Sequence, residues 1–513
     1  MTSRMHLNTA AQLDRACGAV LGAAAGDALG AGYEFGCATV GPDGPQMIGG
    51  GLGNFAPGEW TDDTTMAWCI LEAAADPTTH DLRSDAALDR IARNFRDWYD
   101  TNPPDIGNQT RTVLRQAGEN PTGATMVATA YDLHQRTGHT GGNGSLMRTS
   151  PVALAHLDDA TAAAEAARRI SNLTHYDPDA GDACVLWTLA IRHAILTGEL
   201  DVRVGLPHLT PVAVERWTHL IDEAEASEPK SFSRNGWVVG AFQAAWSAIV
   251  HTPVPDGTNP DAGMPCAHLP AALATAIGIG HDTDTVAAIA GGLLGARWGA
   301  SAVPAKWRRL LHGYPGITGE RLVELATLAA RGGKPLANGW PGVERMDYTA
   351  YTGGHVLVRH PHDDGVWLGD VDAVDALDDL AADVTAVVSL CLVGSAQVPE
   401  GVEHVSFRLI DRSAPEENLN LAFVLRDAAE TVAALRDEGH VVLVHCVAAQ
   451  SRTPAVAIAY ALLRGVSKDD ASREVLAALP HARPNRAFRA ALEHLAALPS
   501  RLNPCTDHER SLR

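Results

Sequence analysis

The period of the hydrophobic pattern changes near residue 333, and this constrains the fold more than any other feature of the sequence. From Leu13 to about Arg331 the chain reads as Ala-rich helical segments, such as Ala160 to Ser171, Asp182 to Gly198 and Thr285 to Gly299, separated by Gly, Pro and Asp clusters. Few stretches there alternate apolar with polar. Farther on, His355 to Arg359, Val366 to Leu368, Ala386 to Leu390, Val405 to Leu409 and Val441 to Val444 are short Val-rich runs. They interleave with helical patterns at Ala373 to Leu380, Leu419 to Glu438 and Thr453 to Leu463. The first pattern predicts an all-α bundle over residues 1–333, and the second an α/β unit with a mostly parallel central sheet over 352–500. The intervening 334–351 is Gly/Pro/Asn-rich without sustained periodicity, which predicts a linker, and 501–513 reads as a polar tail. A chain of 513 residues exceeds one compact core, and two units suffice.

Composition narrows the function classes. With 46% hydrophobic residues, 5% aromatics and heavy Ala and Gly usage, the chain suits globular units built from closely approaching helices. Acidic residues outnumber basic ones by 61 to 40, and the net charge of -21 argues against nucleic acid or an anionic membrane as partner. The substrates expected are small molecules or groups carried on proteins. The cysteines are scattered with no C-x-x-C pair, which disfavours a zinc site or a disulfide framework and points to a reducing cytoplasm. Met1 to Ala10 lacks the pattern of a secretory signal, and no apolar run reaches the ~18 residues a membrane span needs. The expected location is cytoplasmic.

Two segments concentrate acids beside threonine at predicted helix starts: Thr61-Asp62-Asp63-Thr64 and Asp282-Thr283-Asp284-Thr285. One such residue caps a helix, but a pair exceeds what capping requires. Four carboxylates in two short loops concentrate negative charge, which a hard divalent cation with oxygen ligands neutralises. On spacing alone, a metal site and surface caps remain equally open.

Around these segments the sequence resembles the ADP-ribosylglycohydrolase family over residues 13 to 333. The motifs, in order, are Gly22-Ala23-Ala24-Ala25-Gly26-Asp27-Ala28-Leu29-Gly30 with Glu34, Thr61 to Thr64, and Asp105-Ile106-Gly107 with Thr110-Arg111. They continue with Gly142-Asn143-Gly144-Ser145-Leu146-Met147-Arg148, Thr174-His175, and Gly280 to Thr285. The resemblance implies an all-α bundle with a binuclear Mg²⁺ centre, Mn²⁺ being an alternative ion. Its ligands would be Thr61, Asp62, Asp63, Asp282, Asp284 and Thr285. It also implies that Gly142, Asn143, Gly144, Ser145 and Met147 wrap the diphosphate or distal ribose, that His175 contacts the ribose, and that Glu34 positions or deprotonates the attacking water. Asp27 is placed with the substrate-binding residues, with orientation of the metal shell or a helix cap as alternatives. The implied reaction releases ADP-ribose from an ADP-ribosylated protein or small molecule by attack of water at the anomeric carbon.

In the second half, the strand pattern Val441 to Val444 delivers His445-Cys446-Val447-Ala448-Ala449-Gln450-Ser451-Arg452-Thr453 ahead of a helix. A cysteine at a strand-to-helix turn, with an arginine following, sits where a thiolate is favoured and where loop N–H groups and a guanidinium can hold a phosphate. This segment resembles the protein tyrosine phosphatase superfamily, and within it the dual-specificity phosphatases, over about residues 354 to 495. Val366 to Gly369, Arg408-Leu409-Ile410-Asp411, and Arg483-Pro484-Asn485 with Phe488 add to the likeness. The resemblance implies Cys446 as nucleophile, Arg452 as phosphate clamp, Thr453 as the hydroxyl assisting breakdown of the thiophosphate and Asp411 as general acid, with Glu416 or Glu417 as alternatives for the acid. A phosphorylated substrate is the partner expected. Ala449 stands where that family usually has glycine. The alternative reading is an ADP-ribose-binding or metabolite-processing protein whose C-terminal domain only reads phosphate.

Overall fold

The computed structural model describes residues 9–257, 263–351, 355–377, 383–479 and 481–498. The expected polar tail at 501–513 lies outside the described residues. Among these, the chain separates into two compact units, Met1–Pro253 with His268–Lys334, and Val254–Ala267 with Pro335–Arg513. No helix among the described residues is long and apolar enough to cross a membrane.

The first unit is a stack of helices. Its first helix, Ala10–Gly30, starts where the Thr9 side chain accepts a hydrogen bond from Gln12 N. It packs along Thr283–Trp298, with glycines where the two axes meet. A Cβ on Gly22 would lie 2.4 Å from Gly291 O, and one on Gly26 would lie 2.1 Å from Ala287 O. No side chain fits in that space, so the Gly repeat sets the helix separation. Asp27 is thereby brought beside the start of the second acidic helix. The helix expected to begin at Asp182 begins at Pro178, because Asp177 caps it and proline is tolerated in a first turn. One short hairpin, His312–Gly313 with Ile317–Thr318, interrupts the all-helical pattern.

The second unit is α/β. Its five strands run in the order Leu357–His360, Asp363–Gly369, Val442–His445, Ala386–Ser389, Glu403–Ser406. Only the first pair is antiparallel. Val442–His445 and Ala386–Ser389 are buried along their whole length, as parallel strands covered on both faces must be. Helices Leu421–Asp437 and Arg452–Leu463 pack against each other and on the sheet.

Two boundaries differ from expectation. The helix Val238–His251 ends before Pro253, and residues 254–267, expected in the bundle, group with the second unit. Most of the expected linker, 334–351, is exposed, but Val343, Met346 and Tyr348 make tertiary hydrogen bonds. Met346 N donates to Gln397 Oε1 at 3.2 Å, Tyr348 Oη to Leu392 O at 2.8 Å, and Ser395 N to Val343 O at 3.1 Å. Aperiodic composition reports the lack of a helix or strand, not the lack of partners.

Candidate functional site

The acidic loops meet at the helix starts of the first unit. Thr61 caps Asp62–Ala75 by accepting from Asp63 N, and this orients both acids at the first turn. Asp63 Oδ2 accepts from Thr61 Oγ1 at 3.0 Å and from Thr285 Oγ1 at 3.4 Å, so threonines of both acidic segments converge on one carboxylate. Its Oδ1 is buried with no hydrogen-bond partner. Carboxylate oxygens of Asp27, Asp63 and Asp284 lie within 4.8 Å of one another, and so do those of Glu34, Asp282 and Asp284.

Burial and mutual repulsion govern the charge at this cluster. Burial, then the neighbouring Asp27, Asp62 and Asp282, push Asp63 well above the usual carboxylate range. Asp284 is raised in the same way by burial, Asp63 and Glu34. Asp62 rises to about 7 through burial and Asp105. Glu34 rises to about 9 through burial, Asp282 and Asp105. Asp282 is raised by burial, against an opposing hydrogen bond from Asn143. An orphaned carboxylate oxygen among acids that repel one another in a dry site is the donor set a divalent cation fits.

Backbone strain marks the same place. Phe35, next to Glu34, has φ +46° and donates its N–H at 2.7 Å to the carbonyl of His281, which has φ +63°. Both are non-glycine residues in the left-handed region, a conformation held only where surrounding structure dictates it.

Asp27, expected among the substrate-binding residues, has the contacts of a helix cap, one of the alternatives open for it. Its side chain is fully buried and accepts from Thr61 N at 3.0 Å, Thr64 N at 3.0 Å and Thr64 Oγ1 at 2.6 Å. It ties the first helix to the start of Asp62–Ala75. Burial still raises it to about 6, against those hydrogen bonds.

The Gly142 loop is also more structural than expected. Ser145 Oγ is buried and accepts from Ser171 Oγ at 3.0 Å and from Cys184 Sγ at 3.4 Å, and Met147 is core. Asn143 Nδ2 donates to Asp282 Oδ2 at 2.8 Å and Asn235 O at 2.9 Å, so its amide hydrogens are committed inside the protein. Gly142 and Gly144 lie over the His175 ring; a Cβ on Gly144 would lie 3.1 Å from its Cε1. The Thr174 hydroxyl accepts from Arg148 Nη2 at 2.8 Å and is hydrogen-bonded to His175 Nδ1 at 2.7 Å. Burial holds the His175 pKa down to about 3. Beside Asp62 is a cavity of about 470 Å³ whose lining includes Trp60, Thr61, Trp98, Asp105 and Tyr314. Asn235 carried no signal in the sequence, because it stands in no motif.

In the second unit, Cys446 follows the buried strand Val442–His445 and precedes helix Arg452–Leu463. Arg452 Nη1 donates to Leu390 O at 3.0 Å and Leu409 O at 3.2 Å, while its buried Nε has no partner. Asp411 Oδ1 accepts from Ser451 Oγ at 2.7 Å and Asn485 Nδ2 at 2.8 Å, which places this carboxylate at the Cys446 loop. Glu417 instead pairs with Arg412, and Glu416 shares its turn, Pro415–Glu417. Thr453 Oγ1 is buried and donates to Gly369 O at 3.3 Å. Ala449 adopts φ +51°, a conformation that favours glycine.

Comparison with known proteins finds relatives of the first unit. The ADP-ribosylarginine hydrolase Tri1 of Serratia proteamaculans (strain 568) is 28% identical over 300 residues, 58% of this chain and 74% of that protein. The ADP-ribosyl-[dinitrogen reductase] glycohydrolase of Rhodospirillum rubrum is 30% identical over 301 residues, 57% of this chain and 89% of that protein. A crystal structure of human DUSP28 is 32% identical, covering 27% of this chain and 92% of its own, at a TM-score of 0.25. The ADP-ribosylglycohydrolase family profile matches residues 8–337, well over half of the sequence, and the chain belongs to the ADP-ribosylglycohydrolase family.

Proposed function

We propose that the helical unit removes ADP-ribose from its conjugates with Mg²⁺ held by Thr61, Asp62, Asp63, Asp282, Asp284 and Thr285, and that the α/β unit is a cysteine-dependent phosphatase. For the first activity, the observation that carries the reading is the convergence of Asp63, Asp282, Asp284 and Glu34, with Asp63 Oδ1 unpartnered. Divalent cations bound there would orient the ribose hydroxyls and polarise the anomeric centre. Glu34, beside Asp282 and Asp284, holds the attacking water. His175 and the loop over it form the floor under the ribose and diphosphate. The cavity beside Asp62 receives the group being released. Relatives named for arginine-linked ADP-ribose make that linkage the first to assay.

In the second unit the Cys446 thiolate attacks phosphorus, forming an S–P bond as the P–O bond to the leaving group breaks and Asp411 protonates that oxygen. Water then cleaves the S–P bond, releasing inorganic phosphate and restoring the thiolate. Arg452 and loop N–H groups hold the non-bridging oxygens. This reading rests on Cys446, Arg452 and Asp411 meeting at one strand-to-helix turn. The strained Ala449 favours a second reading, in which this unit binds phosphate without turnover.

The test uses the full chain with Mg²⁺ against a panel of ADP-ribosyl linkages and a phosphomonoester reporter. Asp62→Ala is expected to stop ADP-ribose release only, and Cys446→Ser phosphate release only. No release from any linkage by the wild type would overturn the first assignment, and no phosphate release would leave the binding reading of the second.

A further inference from the structure

Asn235 lies in an exposed turn, between Ser233 and Arg234 on one side and Gly236 and Trp237 on the other, yet is only 1% exposed itself. Its amide is engaged at both ends. Oδ1 accepts from Asp282 N at 3.2 Å, and Nδ2 donates to Gly280 O at 2.9 Å. Its backbone carbonyl accepts one hydrogen of the Asn143 amide at 2.9 Å, and the other hydrogen goes to Asp282 Oδ2 at 2.8 Å. Main-chain bonds join two of these segments: Asn143 N donates to Gly236 O at 3.3 Å, and Val238 N to Gly141 O at 2.9 Å.

The chemistry of this pattern selects asparagine. The side chain must donate to one carbonyl and accept from one N–H across a single turn. An aspartate would turn an acceptor toward Gly280 O and add charge beside an already crowded cluster. An apolar side chain would leave the Gly280 carbonyl and the Asp282 N–H unpaired. Asp282 is therefore held twice, at its backbone by Asn235 and at its carboxylate by Asn143. Asn143 is anchored on the backbone carbonyl of Asn235, so the turn whose side chain makes the first hold also seats the second.

We propose that Asn235 is a positioning residue for Asp282, acting directly and through Asn143, and that this clasp sets the affinity of the acidic cluster for a divalent cation. The inference rests on the metal-dependent reading of that cluster. It also ties the Gly142–Met147 loop to the metal ligands, because Asn143 belongs to both.

The experiment is calorimetric titration of the full chain with Mn²⁺, for the wild type, Asn235→Ala, Asn143→Ala and the double variant, with Asp63→Asn marking binding elsewhere on the chain. Outer-shell partners of metal ligands typically account for roughly 10–100-fold in metal affinity, so each single variant should weaken Mn²⁺ binding by that order. The double variant should lose less than the product of the two, because both act through Asp282. ADP-ribose release by Asn235→Ala, assayed at a temperature where circular dichroism shows the metal-free variant folded, should recover as Mn²⁺ is raised. Asn235→Ser, which keeps a hydroxyl for the Asp282 N–H, should fall between wild type and Asn235→Ala and serves if the alanine variant does not fold. Wild-type Mn²⁺ affinity in Asn235→Ala, or activity that excess Mn²⁺ does not restore, would overturn the proposal. A wild type that binds no Mn²⁺ would overturn the metal reading itself, and with it this inference.

Discussion

Thr64 Oγ1 donates to Asp27 Oδ2 at 2.6 Å, and this bond joins the first helix of the chain to the helix that presents Asp62 and Asp63. The same carboxylate also accepts the backbone N–H groups of Thr61 and Thr64. Asp27 thus satisfies donors that a helix start leaves open, across 34 residues of sequence.

Asp27→Ala should therefore act on stability before chemistry. Two buried N–H groups lose their acceptor, at about 1–3 kcal/mol each. The urea midpoint of the helical unit should fall markedly. Asp62→Ala, whose carboxylate accepts only a 3.3 Å bond from Gly107 N in the described network, should fall far less while abolishing activity.

Asp63→Asn separates metal binding from folding. On the proposed function, Mg²⁺ would neutralise a cluster whose acids raise one another, so the melting temperature of the wild type should climb with Mg²⁺ and drop in chelator. Asn in place of Asp63 removes one of the repelling charges. The variant should melt at or above the wild type in chelator and show little further rise on adding Mg²⁺.

Ala449→Gly should improve the second unit. An L-residue at φ +51° carries a penalty of roughly 1–2 kcal/mol that glycine escapes, partly offset by the freedom glycine adds to the unfolded chain. A gain of up to about 1 kcal/mol in unfolding free energy is expected, with a higher kcat/KM on a phosphomonoester reporter if strain in the loop limits turnover. Equal or lower stability would show that the Cys446 loop tolerates Ala449 without cost.

Buried histidines, His156 and His445 among them, predict acid sensitivity. Burial holds His156 down to about 4 and His445 down to about 3, whereas a histidine in an unfolded chain titrates near about 6.5. As pH falls through that value the unfolded state takes up protons first. The stability these rings contribute is therefore complete above about pH 6.5 and lost toward pH 4 for His156 and pH 3 for His445. Each contributes a slope of about 1.4 kcal/mol per pH unit within its window. Urea midpoints measured from pH 7 to pH 4.5 with Mg²⁺ present should decline, and His156→Gln should flatten the decline for the helical unit. An unchanged slope would remove His156 from the account.

Much of this protein was determined by local sequence. The helix start at Asp62 follows from the Thr61 cap, and the helix from Thr283 and the strand-turn-helix around Cys446 from periodicity and Val-rich runs, all of which act within a few residues. The chemistry of the acidic pairs was legible for the same reason, since adjacent carboxylates carry their mutual repulsion wherever they fold. What only the tertiary structure decided is which polar groups serve the site and which hold it. Asp27 and Asn143 have the residue types of ligand-binding groups, but their hydrogen bonds go to Thr64 and Asp282, 37 and 139 residues away. Asn235 stands in no motif and acquires its place from Gly280 and Asp282. The segment after Lys334 looked like a linker because it lacks a period, yet Gln397 and Leu392 pair with it. A hydrogen bond between distant segments exists only once the packing of glycine-faced helices and buried strands has brought them within about 3 Å, and no local pattern encodes that distance.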